Sequence, residues 1–171
     1  MRRGDIEGTL RELERALALE PRNADFRNNH GALLLQAGRT NEAIATLEKG
    51  RAVDPGHADL LINLSRAYEA AGRYGDAKDA ITLSASIEPR PAAFHMRGRL
   101  EERTGDPAAA LRSYDRALAG GAYPPALRSR GILLVRIGRA PEGIRDLRAY
   151  VAGNPDDTQA ALFLRQAEGS P

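Results

Sequence analysis

Few residues in this chain have the type and spacing that catalysis or metal binding requires. The three histidines, His30, His57 and His95, are not paired at metal-ligand spacing, and the chain has no cysteine to complete a site. No Ser-His-Asp order and no phosphate-binding glycine loop is recognisable. Asp115 and Asp146 fall on faces that we expect to be polar and solvated. The sequence therefore predicts a protein that is not an enzyme and that has no catalytic residue, metal site or cofactor.

Two of the histidines have simpler structural interpretations. His57 precedes the start of a predicted helix, so we interpret it as a solvated helix cap. His30 replaces an apolar residue within its predicted helix, and we expect it to be a tolerated, semi-buried side chain.

Arginine dominates the basic residues, since only Lys49 and Lys78 among the 25 basic residues are lysine. The planar guanidinium group suits carboxylates and phosphates, which favours an acidic partner. An arginine- and alanine-rich composition is also what a GC-rich genome produces, and this second interpretation stays open. The formal net charge of +2 does not decide between them.

The elements that would position these side chains repeat along the chain. Glycine recurs at intervals of 34, 34, 33 and 33 residues, at Gly4, Gly38, Gly72, Gly105 and Gly138. An apolar segment of helical period precedes each of the later four and another follows it, and glycine is suited to the turn between two helices. A period in the low thirties built from two helices is typical of a helical solenoid.

The chain contains no apolar stretch near the roughly 18 to 20 residues that a membrane span needs. The first residues lead into an amphipathic segment, without the apolar core of a signal peptide. We therefore expect a soluble, cytoplasmic protein with no membrane partner.

The spacing of small and large residues within each unit resembles the tetratricopeptide repeat. In the first full unit the matching residues are Gly31, Leu34, Gly38, Ala43, Leu47 and Pro55, and in the second they are Leu64, Tyr68, Gly72, Ala77, Ile81 and Pro89. The third unit gives Gly98, Gly105, Ala110, Tyr114 and Ala117, and the fourth gives Gly131, Leu134, Gly138, Leu147 and Pro155. The resemblance implies an all-α, right-handed superhelical solenoid of antiparallel helix pairs.

The unit boundaries follow from the same pattern. We predict one array over residues 1–171, with a half unit at 1–23, full units at 24–57, 58–90, 91–123 and 124–157, and a capping helix at 158–168. Small residues such as Gly31 and Gly98 should let paired helices approach closely, with Leu47 and Tyr114 filling the space between them. Gly50 and Gly143 lie inside second helices and should each cost roughly 0.5 to 1 kcal/mol relative to alanine.

The resemblance also implies a concave groove lined by the first helix of each unit. The side chains that it would display are Asp25, Asn28, Asn29 and Gln36; Asp59, Asn63 and Arg66; His95, Met96, Arg99 and Arg103; and Arg128, Ser129 and Arg136. The groove would run from amide-rich to arginine-rich. Family members that bind extended peptides hold the ligand backbone with asparagine side chains, and Asn29 and Asn63 stand at that position here. The alternative is that both asparagines bind only water.

The leading prediction is a protein-interaction scaffold that binds a peptide or partner segment through Asn29, Asn63, Arg66, Arg99, Arg103, Arg128 and Arg136. The alternative is a substrate-recruiting module, or a fragment, of a larger enzyme such as a glycosyl- or sulfotransferase. Nucleic acid is disfavoured because the groove offers no aromatic platform for base stacking. Acidic side chains of a ligand should lie on the C-terminal units, with binding that weakens as salt rises.

Two further expectations concern single helices. The predicted helix over residues 5–19 carries an apolar stripe at Ile6, Leu10, Leu13 and Leu17 without a first helix of its own unit, so we expect self-association through residues 5–19 or a longer natural chain. In the third and fourth units Arg97 and Arg130 replace apolar residues. Glu101 should therefore lie within salt-bridge distance of at least one of them.

Overall fold

The structure, a computed structural model, describes the backbone of residues 3–169 and the side chains of residues 6–169. The described part is built of α-helices: α1 (Arg3–Leu19), α2 (Ala24–Gln36), α3 (Thr40–Val53), α4 (Ala58–Ala70), α5 (Tyr74–Ile87), α6 (Pro91–Arg103), α7 (Pro107–Leu118), α8 (Pro124–Arg136), α9 (Ala140–Gly153) and α10 (Thr158–Gly169). None of them combines the length and the apolar character that crossing a membrane requires.

The helices form two compact units. Unit 1 ends at Pro89 and contains α1 to α5, and unit 2 begins at Arg90 and contains α6 to α10. Within unit 1, α2 pairs with α3 and α4 with α5, while α1 packs on α2. Within unit 2, α6 pairs with α7 and α8 with α9, while α10 packs on α9 and α8. We call α2, α4, α6, α8 and α10 the first helices, because each opens a predicted unit or the cap.

Glycine makes the turn inside each helix pair, as the sequence predicted. Gly38, Gly72, Gly105 and Gly138 have φ angles of 77°, 75°, 82° and 85°, in the left-handed region where a β-carbon is costly. Gly4 differs from this prediction. It lies inside α1, which begins at Arg3, so the helix starts earlier than the expected residue 5.

Side-chain caps and prolines begin several helices. The carboxylate of Asp106 accepts the Ala109 N–H at 2.9 Å, and Pro107 is the first residue of α7. His57 caps α4 by accepting the Leu60 N–H at its Nδ1 atom, 3.3 Å away. Its Nε2 atom lies 3.0 Å from Asp25 Oδ1, so this cap is less solvated than predicted.

Glycines inside the helices let the paired helices meet, and the structure confirms this expectation. A β-carbon at Gly98 would come within 2.5 Å of the Tyr114 ring, and one at Gly31 would overlap Leu47. Gly143 meets the backbone of the opposite helix, since an added β-carbon would lie 2.5 Å from the Gly131 carbonyl oxygen. The low helix propensity of these glycines is therefore offset by close packing.

Candidate functional site

Neighbouring first helices are joined by polar contacts at one register in both units. In unit 1, Asn63 Nδ2 donates to Asn28 Oδ1 at 2.8 Å. Asn28 is the fifth residue of α2 and Asn63 the sixth residue of α4. Asn29, which the sequence placed level with Asn63, is exposed and does not make this contact. Asn63 therefore pairs across the helices with Asn28, and not with the residue at its own position in the repeat. That Asn29 and Asn63 bind a ligand backbone stays a prediction.

The equivalent positions of unit 2 hold a histidine and a serine. His95 Nε2 lies 3.0 Å from Ser129 Oγ, and these residues are again the fifth of α6 and the sixth of α8. The imidazole ring is flanked by the rings of Tyr114 and Tyr123, each with its centroid 5.8 Å away. The repeated register shows that both units present the same stretch of their first helices as a polar face.

The imidazole of His95 is uncharged at neutral pH. Burial lowers its pKa to about 4, with a further contribution from the positive charge of Arg99. Burial likewise raises the pKa of the Tyr114 hydroxyl, helped by its hydrogen bond to Glu102. His95 is thus a neutral hydrogen-bonding group on this face, whereas the Tyr114 side chain is buried.

Arginines surround this polar patch of unit 2. Arg99, Arg103 and Arg136 are exposed, whereas Arg128 is half-buried. Two of these arginines lie near a carboxylate of unit 2. Arg128 Nε is 3.0 Å from Asp157 Oδ2, and Arg136 Nη1 is 3.9 Å from Glu102 Oε2. In unit 1, Arg66 on α4 is also exposed.

Asp157 has a structural role that the sequence did not reveal in full. It accepts the Ala160 N–H at 3.0 Å as the cap of α10, and it accepts the Tyr150 hydroxyl at 2.9 Å. The pKa of Asp157 is lowered by the Ala160 N–H first, then by Tyr150 and Arg128. Arg128 is therefore held by the start of α10.

The predicted ion pair between Arg97 and Glu101 of α6 is confirmed. Arg97 Nε lies 3.2 Å from Glu101 Oε1, and the Ser113 hydroxyl donates to the same carboxylate at 2.5 Å. Arg130 does not join this cluster, because it pairs with Asp115 at 2.6 Å and with Asp146 at 2.7 Å. The expectation for Asp146 was wrong. Its side chain is buried, because the guanidinium of Arg130 compensates its charge.

No group of three or more potential metal ligands occurs among residues 6–169. What the structure presents is a polar, partly arginine-lined face on first helices that small residues bring close to their partners. This arrangement defines the class of the molecule: it is a helical-repeat protein.

Comparison with known proteins identifies the family. The sequence model for the tetratricopeptide repeat matches residues 1–54 and 34–100, and a second model with the same description matches residues 95–158. The chain therefore belongs to the tetratricopeptide repeat family, whose members are protein-interaction scaffolds. No curated protein sequence matches the chain.

Solved structures share the fold at low sequence identity. A tetratricopeptide repeat protein from Parabacteroides merdae is 20% identical, with a TM-score of 0.83 over 97% of this chain and 68% of that protein. MamA from Desulfovibrio magneticus RS-1 is 15% identical, with a TM-score of 0.81 over 91% and 89%. YrrB, described as a TPR protein with an unusual peptide-binding site, is 21% identical, with a TM-score of 0.75 over 86% and 77%. These likenesses confirm the helical-solenoid fold.

Proposed function

We propose that the chain binds extended segments of other proteins on its first-helix faces. The face of unit 1 would hold peptide backbone through Asn28 and Asn63, and the face of unit 2 would favour acidic side chains. The observation that carries the proposal is the repeated register of the Asn28–Asn63 and His95–Ser129 contacts. It places hydrogen-bonding groups on the same stretch of the first helices in each unit.

The asparagine pair of unit 1 suits a peptide group. The Asn63 amide nitrogen donates to the Asn28 oxygen, which fixes both side chains. We propose that Asn28 Nδ2 then supplies a donor and Asn63 Oδ1 an acceptor to the ligand, since a peptide backbone needs one of each. Asn29, exposed one residue further along α2, and Arg66 on α4 would add contacts at the edge of this face.

The first helices of unit 2 carry Arg99, Arg103, Arg128 and Arg136. Arg128 pairs with Asp157, and Arg136 lies 3.9 Å from Glu102. Arginine side chains attract acidic segments, and screening by salt weakens that attraction. YrrB has a peptide-binding site according to its description, which supports peptide binding as the kind of function for this fold.

Fluorescence anisotropy of labelled peptides tests the proposal. The probes are two fluorescein-labelled peptides of about twelve residues, one alternating Glu and Ser and the other Gln and Ser, a length suited to extended binding. We expect the wild-type protein to bind the acidic peptide more tightly, with a preference that falls as salt rises. The double substitution Asn28→Ala with Asn63→Ala should weaken the binding of both peptides to the same extent, because contacts to the peptide backbone are lost.

Two double variants with the same net charge test whether the first-helix face of unit 2 is responsible for the preference for the acidic peptide. Arg99→Glu with Arg136→Glu should remove the preference for the acidic peptide. Arg112→Glu with Arg145→Glu changes the net charge equally on the exposed sides of α7 and α9, and it should keep the preference. Equal loss in both variants would show that only the overall charge matters. Tighter binding of a single-stranded RNA than of either peptide would favour nucleic acid instead.

A second part of the proposal concerns self-association through α1. The structure buries Ile6 and Leu10, so the exposed apolar surface is narrower than the sequence suggested. Leu13 and Leu17 are half-buried and Leu19 is 85% exposed. We propose that this end of α1 forms a weak contact between copies. Sedimentation equilibrium should show concentration-dependent dimers that Leu19→Ser weakens, and a monomer at all concentrations would contradict this.

A further inference from the structure

The seventh residue of each first helix lies toward the packed interior. In α4 and α10 it is leucine, Leu64 and Leu164, and both side chains are buried. In α2, α6 and α8 it is His30, Arg97 and Arg130. Three of the five first helices therefore place a basic side chain where an apolar residue packs in the other two.

The two arginines at this position are fully paired. Arg97 contacts Glu101 and Ser113, and Arg130 contacts Asp115 and Asp146. His30 differs from both. Only 9% of the residue is exposed, and neither ring nitrogen has a hydrogen-bond partner among the described residues. The nearest carboxylate oxygen is Glu14 Oε1 on α1, 3.9 Å from Nε2, which is too far for a hydrogen bond.

The charges that act on His30 come from α1, α2 and the start of α3, and α4, which also packs on α2, contributes none of them. Glu14 belongs to α1 and Arg27 to α2, while Arg39 and Glu42 stand at the start of α3. The two negative side chains favour the protonated ring and the two positive ones oppose it, and the largest effect on the pKa is burial. It lowers the pKa of His30 below the ordinary 6.5, and Glu14 opposes this only in part.

We propose that His30 makes the docking of α1 on α2 sensitive to acid, so that protonation of the buried imidazole loosens α1 and uncovers Ile6 and Leu10. The neutral ring fits the apolar position, whereas the imidazolium would be a buried charge without a hydrogen-bond partner. We expect α1, rather than α2, to be the helix that separates. It packs on α2 at one end of unit 1, whereas α2 is held by α1, α3 and α4.

The sign of the effect follows from linkage. In the docked state the imidazole binds a proton less readily than in the undocked state, where its pKa is close to 6.5. Docking is thus strongest above that pH, and it weakens as the pH falls toward the lower pKa of the docked state. A single proton changes the docking equilibrium by at most about tenfold per pH unit.

Hydrogen exchange measured by mass spectrometry on the full chain tests the proposal. Exchange is measured at about pH 7.5, 6.5 and 5.5, where most carboxylates stay ionised. The rates are corrected for the intrinsic pH dependence of amide exchange. Protection of the α1 amides should fall by up to about tenfold per unit below pH 6.5, with a much smaller change in α4. In His30→Leu, which copies Leu64, α1 should stay protected throughout. His30→Gln, which is uncharged but polar, should show the same flat profile.

Two variants distinguish the protonation of His30 from other effects of acid. Glu14→Gln should keep the fall in α1 protection or steepen it, because Glu14 favours the protonated ring. His95→Gln, in unit 2, should leave the α1 profile unchanged. The proposal is overturned if α1 protection stays constant or rises on acidification in the wild type. It is also overturned if His30→Leu and His30→Gln both show the wild-type fall.

Discussion

Arg130 on α8 binds the carboxylate of Asp146 on α9 through two parallel hydrogen bonds, Nε to Oδ2 at 2.7 Å and Nη2 to Oδ1 at 2.9 Å. The third guanidinium nitrogen, Nη1, donates to Asp115 Oδ1 on α7 at 2.6 Å. These bonds raise the pKa of Arg130, with the Asp146 hydrogen bond as the largest cause. One side chain thereby joins three consecutive helices of unit 2.

Removing Arg130 should therefore be costly. Arg130→Ala leaves the buried Asp146 carboxylate without its partner, and we expect a loss of about 3 kcal/mol in the free energy of unfolding. Urea denaturation followed by circular dichroism measures this loss.

Replacing both partners is the control for that experiment. Arg130→Met with Asp146→Leu exchanges the ion pair for apolar side chains, and it should recover most of the lost stability because no charge stays buried. If the double variant is as unstable as Arg130→Ala, shape rather than charge pairing explains the loss.

Gly98 should tolerate no larger residue while Tyr114 is present. Gly98→Ala places a β-carbon 2.5 Å from the Tyr114 ring, and overpacking of this kind costs about 1 to 3 kcal/mol. Gly8→Ala is the matched control, since a β-carbon there meets no atom within 4 Å, and it should stabilise α1 by about 0.5 to 1 kcal/mol. Thermal unfolding compares the two. Equal midpoints for Gly98→Ala and the wild type would disprove the tight contact.

These packing features were predictable because they repeat. The regular spacing of the turn glycines reveals where the backbone adopts a positive φ. The glycines opposite Leu47 and Tyr114 reveal where two helices approach closely. Asp146 was not predictable in the same way. A carboxylate on a helix looks solvated until the position of Arg130, sixteen residues away on another helix, is known.

Acid should destabilise unit 2 through His95. Its pKa in the folded state, about 4, lies below the ordinary 6.5, so the stabilisation is complete above pH 6.5 and is lost as the pH falls toward 4. Urea unfolding at several pH values should therefore show a smaller pH dependence for His95→Phe than for the wild type. Parallel pH profiles for the two proteins would contradict this assignment.

The candidate site was only partly predictable. Position within the repeat placed His95, Ser129 and Asn63 on the first-helix face, and their contacts lie there. The choice of Asn28 rather than Asn29 depends on the offset between neighbouring helices, which the sequence does not state. The pairing of Arg128 with Asp157 likewise depends on how the turn before α10 approaches α8.

Chemical-shift mapping by NMR locates the bound peptide on the protein surface. An isotope-labelled chain is titrated with the alternating Glu-Ser peptide, and the perturbed backbone amides are located. We expect changes concentrated on α6 and α8 around Arg99, Ser129 and Arg136, and much weaker changes with the Gln-Ser peptide. Changes centred on Arg112 and Arg145 of α7 and α9, or equal responses to both peptides, would contradict this expectation.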